Sequence, residues 1–160
     1  MTASEPARDG APALNGRAAS LLAAAGATDG FLPFDEAMAL YAVTARVLAA
    51  GSGPIVEIGG YLGRSTLFLA AAIAAADASA TAVYSVDHHR GSEEMQPGWP
   101  GHDPSLVDPR TGRMDSLSRF RATLEGASAE DLVVGVRGNH EDTAHESRGR
   151  CGRLTRAGTP

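Results

Sequence analysis

The sequence predicts an α/β fold, a small parallel sheet with helices laid between successive strands. Three stretches carry that prediction. Residues 54–58 form a short apolar strand, residues 64–77 an alanine-rich apolar helix, and residues 82–86 a second apolar strand. Strand, helix and strand at these lengths suit a right-handed parallel crossover rather than a hairpin. The junction after the first strand, Glu57-Ile-Gly-Gly-Tyr-Leu-Gly-Arg-Ser65, is rich in glycine. Glycine permits the tight turn and lets a ligand approach the backbone closely.

The other elements follow in chain order. Residues 1–16 are rich in Ala, Pro, Gly and charge without periodicity, a composition that does not fold alone. Arg17–Ala25 reads as a short, weakly helical stretch, so residues 1–28 are expected to stand before the domain proper. From Asp35 to Ala50, Leu40, Val43 and Val47 recur at helical spacing behind the start signals Pro33 and Asp35, and Gly51-Ser-Gly-Pro54 ends the run. Residues 87–113 form a long polar loop holding Trp99 and three of the five histidines. A loop this long is expected to cover a site or to be a solvated excursion. Asp115 is a candidate N-cap for a helix to about Glu125 that carries Leu117, Phe120, Ala122 and Leu124. Asp131 then precedes a third strand, Leu132–Val136. From residue 140 onward the apolar residues are Ala144, Cys151, Leu154 and Ala157, within an irregular basic tail.

The first strand is nearly all apolar (Ile55, Val56, Ile58), which suits burial on both sheet faces. With about three strands legible, its outer edge has no partner, and self-association or aggregation along that edge is expected.

Composition bounds the function. The formal net charge of −5 and pI of about 5.5 argue against a general nucleic-acid surface. One cysteine, Cys151, excludes an internal disulfide and gives no zinc motif. No apolar run reaches membrane-spanning length, and the acidic residues ahead of Arg17–Ala25 speak against an export signal. The expectation is a cytoplasmic protein with no membrane partner.

The glycine turn narrows the ligand. A dinucleotide fingerprint, G-x-G-x-x-G begun at Gly59, would need glycine at Tyr61 and Arg64. A phosphate-cradling P-loop needs a lysine, and the chain has none. The unpaired N–H groups at the start of the following helix suit an anionic group, and Ser65 and Thr66 add hydroxyls. Asp87, at the carboxyl end of the second strand, offers two acceptor oxygens at the distance along the chain where a ribose diol is met. The pattern that stands is E-x-G-x-Y-x-G-x-S, from Glu57 to Ser65.

That pattern resembles motif I of class I S-adenosylmethionine (SAM) dependent methyltransferases, in particular the small-molecule O-methyltransferases that include catechol O-methyltransferase. The run from Asp29, DGFLPFDEAMALY, is similar to the helix preceding motif I in bacterial members. The resemblance implies a Rossmann-like sheet and SAM as cofactor. It implies that Glu57, Gly59, Gly60, Tyr61, Gly63 and Ser65 hold the methionine portion and its surroundings, that Asp87 holds the ribose, and that Asn139, after the third strand, lies by the adenine. The family's sheet has seven strands with the first one central, whereas three are legible here. The resemblance therefore covers residues 29–139 and implies a partial domain lacking the C-terminal strands.

The function expected is O-methylation of a small hydroxylated acceptor. The alternatives are a SAM-binding fragment or truncated product without turnover, or another nucleotide-binding α/β enzyme such as a dehydrogenase. No catalytic base is singled out. A metal held by His88 or His89 with Asp87, His102 and Asp103 is not expected, because adjacent histidines on an extended segment point opposite ways. His140 and His145 stand one residue too far apart for H-E-x-x-H.

Overall fold

A computed structural model of the chain describes residues 14–51, 53–78 and 80–138. The expected basic tail and Asn139 lie outside the described residues, as does most of the N-terminal stretch. The elements run α1 (Gly16–Ala27), α2 (Phe34–Ala49), β1 (Ile55–Ile58), α3 (Arg64–Ala75), β2 (Val83–Asp87), the two-residue strands β3 (Val107–Asp108) and β4 (Arg113–Met114), α4 (Leu117–Gly126) and β5 (Val133–Arg137). The predicted helices and strands are all present, with ends shifted by a residue or two.

The main sheet is parallel, in the order β1-β2-β5. Val56 pairs with Tyr84 and Tyr84 with Val134, so one register row crosses all three strands. This is the partial Rossmann-like α/β arrangement that the sequence predicts.

All four helices among the described residues contribute to one core. Leu21 and Ala25 of α1, Tyr41 and Leu48 of α2, Phe68 and Ile73 of α3, and Phe120 and Leu124 of α4 join Val83 and Val133 of the sheet. The centre is α3, buried from Thr66 to Ile73. A helix apolar on every side must be enclosed, and α1, α2 and the sheet enclose it. Arg17–Ala25 is thus part of a longer helix than its sequence suggested. Asn15 caps it, its side chain accepting from the Ala18 N–H at 2.9 Å and donating to the Ala74 carbonyl at 2.6 Å. The acidic residues Asp35 and Glu36 open α2 and Arg46 closes it, matching the helix dipole at both ends.

β1 is not buried on both faces. Its odd-numbered side chains face the helices, while Val56 and Ile58 are 64% and 66% exposed, and Tyr84 and Val134 are also exposed in the same register row as Val56. Side chains alternate across a strand, and all the described helices lie on one side, so an apolar strand ends up with one wet face. β1 also lies at an edge of the described sheet.

Residues 87–113 are not a solvated excursion. Short 3-10 turns at Glu93–Met95 and Pro104–Leu106 and the β3–β4 ladder fold the segment back on itself. Leu106 and Met114 pack with Leu62 of the glycine turn in a second cluster, which Tyr61 and Met95 flank.

Candidate functional site

The turn after β1 is built from three glycines with three different reasons. Gly59 has φ +89°, and a β-carbon there would meet nothing within 4 Å, so the backbone demands the glycine while the space beside it is open. Gly60 is a packing glycine. A β-carbon there would lie 2.3 Å from Ser85 Oγ and 3.2 Å from Phe120 Cε2. Gly63, at φ +95°, starts α3 and would press a side chain onto Thr123 at 3.2 Å. Between them Tyr61 holds φ 48°, a left-handed conformation costly for a residue with a β-carbon.

Glu57 sits under this turn, buried. Its Oε1 accepts from Ser65 Oγ at 2.5 Å, and its Oε2 accepts from Thr66 Oγ1 at 2.5 Å and Ser85 Oγ at 2.7 Å. A carboxylate has about four lone-pair sites, so three hydroxyls satisfy most of it. Glu57 therefore ties β1, the start of α3 and β2 together.

Asp87 ties the turn from the other side. Its Oδ2 accepts from the Tyr61 N–H at 2.8 Å and its Oδ1 from the His89 N–H at 2.6 Å. The Tyr61 bond explains how a non-glycine residue is held at positive φ. The Asp87 side chain keeps 12% exposure, and each oxygen retains a second lone pair.

The crevice lies between this turn and the α1–α2 connection. Gly30, Phe31 and Leu32 form one wall; Gly59, Gly60, Tyr61, Leu62, Arg64 and Ser65 form the other, around about 130 Å³. The rings of Phe31 and Tyr61 lie 5.4 Å apart at its mouth. Burial raises the Tyr61 phenol above its usual pKa, and the negative charges of Asp103 and Asp29 add to the shift, so the phenol stays protonated at neutral pH. A wider cleft of about 440 Å³ opens between residues 105–110 and the start of α4, lined by Arg110, Arg119 and Asp115 among others. None of the glycine-turn residues line it, so size does not mark the site here.

The histidines of the folded segment have partners other than a metal. His88 Nδ1 accepts from the Arg90 N–H at 2.9 Å, His89 Nδ1 lies 2.9 Å from Ser116 Oγ, and His102 Nδ1 lies 3.1 Å from the Met95 carbonyl. Among the described residues no group of three or more His, Cys, Asp or Glu is placed to hold a metal ion. Burial lowers the pKa of His89 from its ordinary value, against the opposing charges of Asp87 and Asp115. No described helix is long and apolar enough to cross a membrane.

Of the residues singled out from sequence, Gly59, Gly60, Tyr61 and Ser65 line the crevice and Asp87 borders it by its bond to Tyr61. Glu57 and Gly63 shape it from beneath, and Asn139 lies outside the described residues. Sequence reading missed Ser85, Phe31 and Arg64. A lone serine among the apolar residues of β2 was a signal for Ser85, and the lone charge on an apolar helix was one for Arg64. Phe31 had no such signal. Residues 56–155, more than half of the chain, match a family model described as a methyltransferase domain.

Proposed function

The chain belongs to the methyltransferase domain family, and from that membership we propose that it binds SAM and methylates a hydroxyl of a small-molecule acceptor, in the manner of the O-methyltransferases its glycine turn resembles. The observation that carries the proposal is the crevice at the carboxyl ends of β1 and β2, where open space at Gly59 meets the carboxylate of Asp87. Ligands of parallel α/β sheets bind at such strand ends.

The residues present fit the cofactor. In this reading Gly59, Gly60, Tyr61 and Ser65 receive the methionine portion, with Glu57 and Gly63 setting the turn's shape. The free lone pairs of Asp87 accept from the ribose hydroxyls. About 130 Å³ is small against the ~300–1,000 Å³ of ligand pockets, so the nucleoside end extends out of the crevice past Asp87. When bound, SAM supplies a methyl group on a sulfonium, open to in-line attack by an acceptor oxygen. The chain's own contribution is mainly positioning. The folded segment 87–113, anchored to the turn through Leu62, Leu106 and Met114, forms the adjoining wall for the acceptor.

Calorimetric titration with SAM and, separately, NAD tests the cofactor. SAM binding without NAD binding is expected; the reverse result would place the chain among dehydrogenase-like proteins. A methyl-transfer assay with labelled SAM over a panel of phenols and sugars then separates turnover from binding alone.

A further inference from the structure

The α1–α2 connection forms one wall of the crevice, and the hydrogen bonds its own residues make are local. Thr28 bonds back into α1 through its N–H and hydroxyl, and Pro33 serves α2. Among the described residues, the hydrogen bonds that join residues 28–32 to anything beyond α1 and the start of α2 come from one side chain, Arg64. Its Nε donates to the Leu32 carbonyl at 3.0 Å, and its Nη1 donates to the Thr28 carbonyl at 2.8 Å and the Gly26 carbonyl at 3.3 Å.

The guanidinium suits this task. It presents fixed, forked donors. Two of its acceptors, Gly26 and Thr28, are carbonyls at the end of α1, where a cation is favoured. Arg64 is itself the first residue of α3, directly after the glycine turn. The fit is close on the far side too. A β-carbon on Gly30 would lie 3.1 Å from both Cβ and Cδ of Arg64. The stem of the arginine thus runs against the connection while its head bonds the carbonyls.

We propose that Arg64 is a positioning residue that pins the Thr28–Leu32 connection over the glycine turn, and so sets Phe31 and Leu32 as the outer wall of the cofactor crevice. The effect on the cofactor rests on the SAM-binding reading above; the pinning does not. Without the clamp, the connection has to be ordered when ligand binds, and that ordering cost weakens binding.

Hydrogen exchange and calorimetry on Arg64→Ala, Arg64→Lys and Gly30→Ala, beside the parent chain, test this. In Arg64→Ala the amides of residues 28–32 are expected to exchange at least about tenfold faster while those of α3 stay protected, and SAM affinity is expected to fall roughly tenfold. Arg64→Lys keeps the charge but not the fork, and is expected to recover only part of each loss. Gly30→Ala leaves Arg64 in place, pushes on its stem, and is expected to reproduce the faster exchange in milder form. It also serves if Arg64→Ala does not fold. Unchanged exchange over 28–32 in both Arg64→Lys and Gly30→Ala would overturn the pinning. Faster exchange with unchanged SAM affinity would overturn the positioning role. Failure of the parent chain to bind SAM would refute the cofactor reading and leave the exchange result to judge the clamp.

Discussion

The N–H of Tyr61 donates to the carboxylate of Asp87 across 2.8 Å, joining the turn after β1 to the end of β2. The same carboxylate takes the His89 N–H, so one acidic side chain fixes two backbone segments that both run at positive φ. A residue expected to meet a ligand is therefore also part of the frame around it.

Asp87→Ala is expected to lower stability by about 1–3 kcal/mol, since it leaves two backbone donors without their acceptor. Asp87→Asn keeps an acceptor oxygen and should lose less. Urea denaturation measures both. SAM titration of the asparagine variant, which stays folded, then reads the ribose contact separately.

Gly60→Ala drives a methyl group into Ser85 Oγ. Overpacking of this kind costs about 1–3 kcal/mol. Combining it with Ser85→Ala opens the space, so the double variant should be less destabilised than the sum of the two single ones. A double-mutant cycle by chemical denaturation gives that coupling. Strict additivity would show that Gly60 is not a packing glycine.

Glu57→Gln replaces an acceptor-only group with one whose NH₂ cannot accept from the surrounding hydroxyls. The hydroxyl that meets the NH₂ has to accept from it and redirect its own proton away from its present acceptor, at about 1–3 kcal/mol where that proton finds no new partner. A thermal melt as stable as the parent's would contradict the bonding of Glu57 described above.

Stability should fall with acid through His89. Burial holds its pKa below the ordinary 6.5, so the folded chain keeps the ring neutral. Above about pH 6.5 the ring is neutral in both states and the contribution is fully present. Below that the unfolded chain takes up a proton that the folded chain refuses, and stability declines until the folded ring titrates too. His89→Asn, which tolerates the positive φ, should show a shallower decline in denaturation curves across that range.

The wet face of β1 and its place at an edge of the described sheet are expected to promote self-association. Sedimentation velocity over a concentration series should show assembly beyond the monomer, and Ile58→Lys should reduce it, since a charge on an exposed edge strand opposes pairing. A parent chain that stays monomeric throughout would refute the expectation.

Much of the fold was legible because it is written in local periodicity. The apolar runs of β1, β2 and β5 and the helical spacing of α2 need no knowledge of distant residues. The glycine turn was legible for the same reason. What stayed hidden depends on contacts across long stretches of chain. That Glu57 is ringed by hydroxyls requires Ser85, from another strand, to arrive beside Ser65 and Thr66. That Gly60 is a packing position requires the same serine and Phe120. The two-sided burial expected for β1 failed because an apolar strand does not reveal which of its faces a helix will cover. For residues 87–113 the sequence left a site cover and a solvated excursion equally open, because the anchors Met95 and Leu106, with Met114 just beyond, are spaced too widely among polar residues to show a period.

The one-sided layering has a topological consequence. Winding from β1 through β2 to β5 proceeds in a single direction, and right-handedness lays every intervening helix on the same surface. A strand docking beyond β1 by a crossover of the same hand would have to carry its helix across Val56, Ile58, Tyr84 and Val134. The glycine bend would then occupy the place where the winding reverses, the point in such sheets at which the flanking loops part and leave a groove for a guest molecule.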